Sequence, residues 1–273
     1  MQDYEVINNL LNVGIASSKV ESIKLPNKII RGNIHLIIFG EPGIGKSTIL
    51  SEISKIVKSS IMRKFTSANL LGAVDKNTGI FIPPITWDSK NNVLMIDEFN
   101  PSTNNYKEDV LETLLTLMEF AEIKKSVGYR CNDYNKKDGD LYCKVKNGKI
   151  EMKTRFSFFC TSMRHPSALS SVYSKALKSR CIILHLKKTI EELKHEIYYD
   201  SYSFKYKKIK VDKKNFVMKK KDIDYITNYI QNTQFKIGTS FYTRTVGDFC
   251  RIFCILKKHD NDIYDYILRS RTE

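Results

Sequence analysis

Apolar residues along this chain fall into two kinds of run. Short, nearly continuous runs occur at "IHLIIF" (Ile34 to Phe39), at the start of "VLMIDEFN" (Val93 to Ile96), in "RFSFFCTSM" (Arg155 to Met163) and in "CIILHL" (Cys181 to Leu186). Runs of this length and continuity mark strands buried on both faces of a parallel sheet. Between them the apolar positions take a helical spacing. Ile49, Leu50, Ile53, Ile56 and Val57 form one such set, and Val110, Leu111, Leu114, Leu115 and Met118 in "EDVLETLLTLMEF" form another. A stripe of that width is what a helix needs to cover a sheet. Strand and helix alternate, so the pattern predicts an α/β fold with a parallel sheet flanked by helices.

Other segments depart from that rhythm. "FTSANLLGAVDKNTGIFIPPITWDSKNN" carries glycines, two prolines and the single tryptophan, and reads as a helix interrupted by a loop. In "VGYRCNDYNKKDGDLYCKV", Tyr- and Val- or Leu-rich stretches flank "NKKDGD". This predicts a β-hairpin with Lys136 and Lys137 at its tip. "ALKSRCIILHL" predicts a short polar turn carrying Arg180 before the last strand. Past Lys187 the character changes: nine lysines lie between Lys205 and Lys221 against one acid, Asp212. That run reads either as a solvated linker face or as a phosphate-binding strip. From Asp222 the pattern is helical again, with Val246, Phe249, Cys250, Phe253 and Leu256 on one side of "TRTVGDFCRIFCILKK". The expected plan is an N-terminal helical extension (1–30), an α/β core (31–190) with inserts at about 66–86 and 127–153, and a basic linker with a small helical lid (191–273).

Composition narrows the function classes. No apolar run approaches the roughly 20 residues of a membrane span, and "MQDYEVINNL" lacks the basic and apolar regions of a secretory leader. A soluble, cytoplasmic protein without membrane partners is expected. The net charge of +15, from 45 Lys and Arg against 30 Asp and Glu, favours a polyanionic partner such as nucleic acid. Six cysteines are scattered without the spacing of a zinc site. Cys131 and Cys143 flank the hairpin tip and could pair across it.

The chemistry sits in "GEPGIGKS", Gly40 to Ser47, which fits G-x-x-x-x-G-K-[ST] between a predicted strand and a predicted helix. Gly40, Gly43 and Gly45 let backbone N–H groups converge on a β-phosphate, and Glu41, Pro42, Ile44 and Thr48 complete the loop and the helix start. Lys46 would reach the β- and γ-phosphates of ATP, and Ser47 would hold Mg2+. The second strand ends in adjacent carboxylates: Asp97 would hold the metal through water, and Glu98 would orient or deprotonate the attacking water.

In this order the parts resemble AAA+ ATPases, within the branch that has an insert in helix 2 and a hairpin before the sensor-1 strand. The motor domain of MCM replicative helicases is the most similar, and MoxR-like ATPases share the branch. "RGNIHLIIFGEPGIGKSTIL" is similar to the MCM Walker A region, "TSANLLGAV" to the entry of the helix-2 insert, and "MIDEFN" to Walker B. "KSRCIILHL" resembles the arginine-finger stretch and "YTRTVGDFCRIF" the sensor-2 helix. The resemblance implies that Arg180 is a finger acting on a neighbour's ATP, that Arg244 is a nucleotide-binding sensor-2 arginine, and that Lys136 and Lys137 face a central pore. The assembly it implies is a homo-oligomeric ring, a hexamer. Sensor 1 departs from the usual asparagine: "CTSMRHP" leaves Thr161, Ser162, Arg164 or His165, with Ser162 preferred. The expected function is an ATP-driven ring motor on DNA, a helicase or translocase for a small viral or plasmid genome. The alternatives are a MoxR-like protein remodeller, for which Tyr134 and Tyr142 would be the gripping residues, and an ATP-switched initiator or loader.

Overall fold

A computed structural model describes residues 2–99, 108–126, 131–163, 172–187, 204–235 and 239–272. The chain opens with α1 (Gln2–Ser17), β1 (Ser22–Lys24) and β2 (Ile29–Arg31), then β3 (His35–Phe39) and α2 (Lys46–Val57). Next come β4 (Ile61–Met62), α3 (Ser67–Leu71), β5 (Ala73–Val74), β6 (Phe81–Ile82), α4 (Ile85–Asp88), β7 (Asn92–Ile96) and α5 (Glu108–Phe120). The strands β8 (Glu122–Ser126), β9 (Tyr134–Asp138), β10 (Leu141–Lys146) and β11 (Lys149–Lys153) precede β12 (Phe156–Ser162), α6 (Val172–Arg180) and β13 (Cys181–His185). The chain closes with β14 (Asn215–Val217), α7 (Lys220–Asn232), α8 (Thr239–Leu256) and α9 (Asn261–Thr272).

The central sheet has five parallel strands in the order β13-β3-β12-β7-β4. Its strands are apolar on both faces, and their alternation divides them between two cores. Leu36, Ile38, Val93, Met95, Phe159, Ile182 and Leu184 face α1, α2 and the C-terminal helices. Ile37, Phe39, Leu94, Ile96, Phe158, Cys160 and Ile183 face α3, α5 and the inserts. The period of two is therefore present even where the sequence reads as continuous hydrophobicity.

Helix α1 packs into the first core. A Cβ on Gly14 would stand 2.7 Å from Phe159 and 2.8 Å from Leu36, so the glycine sets how closely the helix approaches the sheet. Ser17 Oγ accepts the Ile34 N–H at 2.9 Å and lies 2.9 Å from Ser157 Oγ, tying the helix end to β3 and β12.

The segment expected to be a helix interrupted by a loop is a short helix, the β5–β6 hairpin and another short helix. Gly72 ends α3 at φ 87°, and Phe81 and the Ile82 carbonyl leave no room for a Cβ there. The expected single hairpin is part of a four-stranded antiparallel sheet, β8-β11-β10-β9. Lys136 and Lys137 are not at its tip: they lie within β9, opposite Cys143 and Tyr142, and the turn is Gly139–Asp140. Gly139 has φ 62°, which favours the glycine as the turning residue and pulls the two lysines back into the strand. All six cysteines are free thiols, so Cys131 and Cys143 do not pair. Arg180 is likewise not on a turn, because α6 runs directly into β13. No helix among the described residues is long and apolar enough to cross a membrane.

Candidate nucleotide site

The glycine loop begins where β3 ends. A Cβ on Gly40 would meet the Leu186 carbonyl oxygen at 2.8 Å, while Gly43 and Gly45 take φ 78° and 94°. These positive values turn the chain sharply enough to start α2 at Lys46, with its free N–H groups facing the loop. Glu41, Pro42, Ser47 and Thr48 are exposed around the loop mouth, whereas Ile44 is buried beneath it. A cavity of about 550 Å³ adjoins the loop, lined by Gly40, Pro42, Ile44, Met163 and His185 among others. That volume suits a small ligand.

Lys46 is buried and folded over the loop, donating to the carbonyls of Gly40 at 2.7 Å and Glu41 at 2.6 Å. Burial lowers its pKa, and Asp97 and Glu98 oppose that shift. An ammonium held by two carbonyls in an electropositive loop is poised to exchange them for phosphate oxygens.

The carboxylates stand at the end of β7, next to β12 and β4. The Asp97 N–H donates to the Met62 carbonyl at 2.7 Å, which fixes the side chain toward α2. Ser47 Oγ donates to Asp97 Oδ1 at 3.0 Å. A hydroxyl and a carboxylate at this separation offer the hard oxygen ligands Mg2+ prefers while leaving its other positions to water and phosphate. Among the described residues no cluster of three or more His, Cys, Asp or Glu forms another metal site.

Glu98 is exposed and adopts φ 57°, the left-handed region, which is unfavourable for a residue with a Cβ. Thr161 holds it there. Its hydroxyl accepts the Glu98 N–H at 2.9 Å and donates to Asp97 Oδ1, while its carbonyl accepts the Phe99 N–H at 2.8 Å. Thr161, one of the four sensor-1 candidates, is thus bonded to both residues of the acidic pair. Ser162 is buried in register with Phe39, and Arg164 and His165 lie outside the described residues. Cys160 pairs with Ile96, so the next residue on β12, Thr161, reaches the residue after the end of β7.

A second cluster occupies the opposite end of the sheet. Arg180 Nε lies 2.8 Å from Glu119 Oε2, and Arg244 Nη1 lies 3.5 Å from the same oxygen. Arg31 Nη1 donates to the Leu117 and Met118 carbonyls, each at 2.6 Å, capping the C-terminus of α5. Arg251 Nε donates to the Arg31 carbonyl at 2.8 Å. These arginines, with His35 and Glu119, line a cavity of about 480 Å³. Burial, then Arg251, pushes Arg31 down to about 9, still charged at neutral pH. Burial holds His35 well below its ordinary value, and its Nδ1 accepts the Phe158 N–H at 3.0 Å, which requires the unprotonated nitrogen.

His35 starts β3 and Phe39 ends it, so the arginine cavity and the glycine loop are separated by about 13 Å of strand. Arg244, which the resemblance implies is a nucleotide-binding arginine, shares Glu119 with Arg180. The α8 helix that carries it packs on α1, α6, α7 and β1. Glu119 was not singled out in the sequence, since an acid at the end of an amphipathic helix carries no motif.

A strand, a glycine loop and a helix on a parallel α/β sheet, with a hydroxyl–carboxylate pair and a second carboxylate beside the loop, have the arrangement of a P-loop domain. Residues 7–126 match the family model of the MCM P-loop domain. The matched segment is similar to the MCM P-loop domain, and the likeness supports nucleotide binding and hydrolysis by this part of the chain. The match takes in α1, the glycine loop, the helix-2 insert, the acidic pair and β8; Lys136, Lys137, Arg180 and Arg244 lie beyond it. Among curated proteins none matches the chain.

Proposed function

We propose that the protein is an ATP-hydrolysing AAA+ motor that acts on DNA as a ring, in which each active site is completed by the next copy. The observation that carries this reading is the separation of the two ends of β3. The loop end has Lys46 and the acidic pair, and the far end has Arg180 and Arg244 around one glutamate. In this reading Lys46 and the loop N–H groups bind the phosphates, Ser47 and Asp97 hold Mg2+, and Glu98 positions and deprotonates the attacking water. The neighbour's Arg180 and Arg244 neutralise charge as the γ-phosphoryl group leaves. Bound Mg2+, held by Ser47 and Asp97, would supply positive charge against the phosphates.

DNA is the favoured substrate because Lys136 and Lys137 are exposed on β9 and the whole chain carries +15. The aromatic grip expected of a protein remodeller is weaker: Tyr134 packs at 5.1 Å on Phe81 and is half-buried. Replication of a small viral or plasmid genome is the setting this proposal fits.

The test is ATPase rate with and without single- and double-stranded DNA at two salt concentrations, with Glu98→Gln as the blank. Salt-sensitive stimulation is expected. A mixing experiment tests the composite site. Arg180→Ala and Glu98→Gln are each expected to be inactive, while an equimolar mixture regains about a quarter of wild-type turnover, the share of random interfaces with both intact partners. Arg244→Ala is expected to behave in the same way. Absence of recovery in both mixtures would refute action across an interface.

A further inference from the structure

The lysine run between Lys205 and Lys221 lies outside the matched segment and outside the proposed nucleotide site. It is not a slack linker. The Phe204 N–H donates to Glu52 Oε2 at 2.6 Å, on the helix that begins at Lys46. Asn8 and Asn12 of α1 bracket the next residues: Asn8 Oδ1 accepts the Lys205 N–H at 2.9 Å, Asn12 Oδ1 accepts the Lys207 N–H at 2.8 Å, and both side-chain amides donate to the Lys205 carbonyl at 3.0 Å. Further on, the Lys214 carbonyl accepts the Glu21 N–H at 2.7 Å, and β14 joins β1 in parallel.

The side chains of this strap are sorted. Phe204 and Met218 are buried, and Ile209, Val211 and Phe216 pack against the first core. All nine lysines are exposed, and among the described residues none of their ammonium groups is ion-paired. The single acid of the run, Asp212, is taken by Lys257, which holds its carboxylate below the usual range. Lys219 is the N-cap of α7 and Lys220 and Lys221 open its first turn, with no side-chain cap. Cations at a helix N-terminus oppose the macrodipole, and Asp222 in the same turn offsets only part of the cost of three lysines. Charge retained against local stability, on a backbone fixed by side-chain amides, indicates a partner of opposite charge.

We propose that the strap from Lys205 to Lys221 is a second nucleic-acid contact that binds the phosphodiester backbone of a strand running along it. Its shape argues for a linear polyanion. Exposed Lys208 and Lys210 alternate with half-buried Ile209 and Val211, the period of two of an extended segment, in which residues on one side repeat at about 6.6 Å. Tyr206, 44% exposed and beside Phe204, offers a ring on which a base can stack. Because the strap is hydrogen-bonded to α2, a strand held there is mechanically connected to the helix that carries Lys46 and Ser47.

The contact deepens the DNA-motor reading and is tested apart from it. The measurement is fluorescence anisotropy of a labelled single strand titrated with protein across a salt series. The proteins are wild type, the quadruple variant Lys207→Gln, Lys208→Gln, Lys210→Gln and Lys213→Gln, its four-arginine counterpart, and Lys136→Gln with Lys137→Gln. Loss of four phosphate contacts is expected to reduce the slope of log Kobs against log salt by about 2.8, at 0.7 per contact. The arginine version is expected to restore it, and ATPase without DNA to remain unchanged. An unchanged slope in the quadruple variant, with a reduced slope in the β9 variant, overturns the strap and leaves the DNA reading standing. No binding by wild type overturns both. Binding to phosphatidylserine vesicles in place of DNA assigns the lysines to a membrane surface and overturns the proposal.

Discussion

Glu98 offers a test that separates the backbone strain of its turn from the chemistry of its carboxylate. It is exposed, at φ 57°, and sits on the turn after β7. The left-handed region costs a residue with a Cβ about 1–2 kcal/mol, and glycine is free of that cost. Glycine loses more chain entropy on folding, by about 0.5–1 kcal/mol relative to alanine. The difference leaves Glu98→Gly more stable than Glu98→Ala by about 0.5–1 kcal/mol. Alanine is the appropriate reference because it removes the same carboxylate and keeps the Cβ. For a chain of this size each kcal/mol moves Tm by about 2–4 °C, so the glycine variant is expected to melt about 1–4 °C above the alanine variant. Differential scanning calorimetry of nucleotide-free protein measures this, and steady-state turnover is expected to be lost in both. If Glu98→Gly melts at or below Glu98→Ala, the strained turn is not present in solution and the reasoning fails.

Thr161→Val keeps the shape of a buried side chain but leaves the Glu98 N–H without its acceptor. Hydrolysis is expected to fall about 10- to 100-fold, or about 1.4–2.7 kcal/mol of barrier, while nucleotide affinity, read by isothermal titration, changes little. His35 is expected to make stability depend on pH. Its folded-state pKa lies below the unfolded value of about 6.5, so the unfolded chain takes up the proton first and stability falls as pH drops below that value. Burial also depresses His259, with the same sign. Tm measured from pH 8 to about 5 should therefore decline below about 6.5, and His35→Asn should flatten part of that decline. Gly14→Ala is expected to destabilise by about 1–3 kcal/mol through overpacking against Phe159 and Leu36; a thermal melt that matched wild type would mean that α1 does not lie against the sheet.

The central sheet was legible because parallel strands are written as local, continuous apolar runs, and the glycine loop because its residues are adjacent in sequence. Both depend on short-range pattern. The four-stranded insert was not read, because β8 and β11 have no strong alternation: "EIKKS" and "KIEMK" are short, half polar and recognisable as strands only through each other. The position of Lys136 and Lys137 turned on where the chain bends, and Gly139 decides that rather than the two lysines. Glu119 and Thr161 needed three-dimensional neighbours. Glu119 acquires meaning from Arg180 and Arg244, which are remote in sequence, and Thr161 from the alignment of β12 with β7. On α5, Leu117 is fully buried whereas Leu115 is only partly so.

The arrangement of charge at the two ends of β3 carries a further consequence for assembly. At the loop end Lys46 faces Asp97 and Glu98, so a bound triphosphate brings negative charge to a place with too few cations even after Mg2+. At the far end Arg31, Arg180, Arg244 and Arg251 stand around Glu119 and Asp248, an excess of positive charge with one cavity between. Each end is what the other lacks. Two different surfaces that complement each other form a heterologous contact, which closes into a ring or grows into a filament. Nucleotide should therefore drive association, because it supplies the charge that the arginines receive. Sedimentation of Glu98→Gln, which is expected to hold ATP without cleaving it, should show a larger species with ATP and Mg2+ than without. The same protein carrying Arg180→Ala and Arg244→Ala should lose that gain while still binding nucleotide. Association that is equally strong without nucleotide, or indifferent to both arginines, would place the interface elsewhere on the molecule and remove the reason for reading the arginine cavity as the second half of the site.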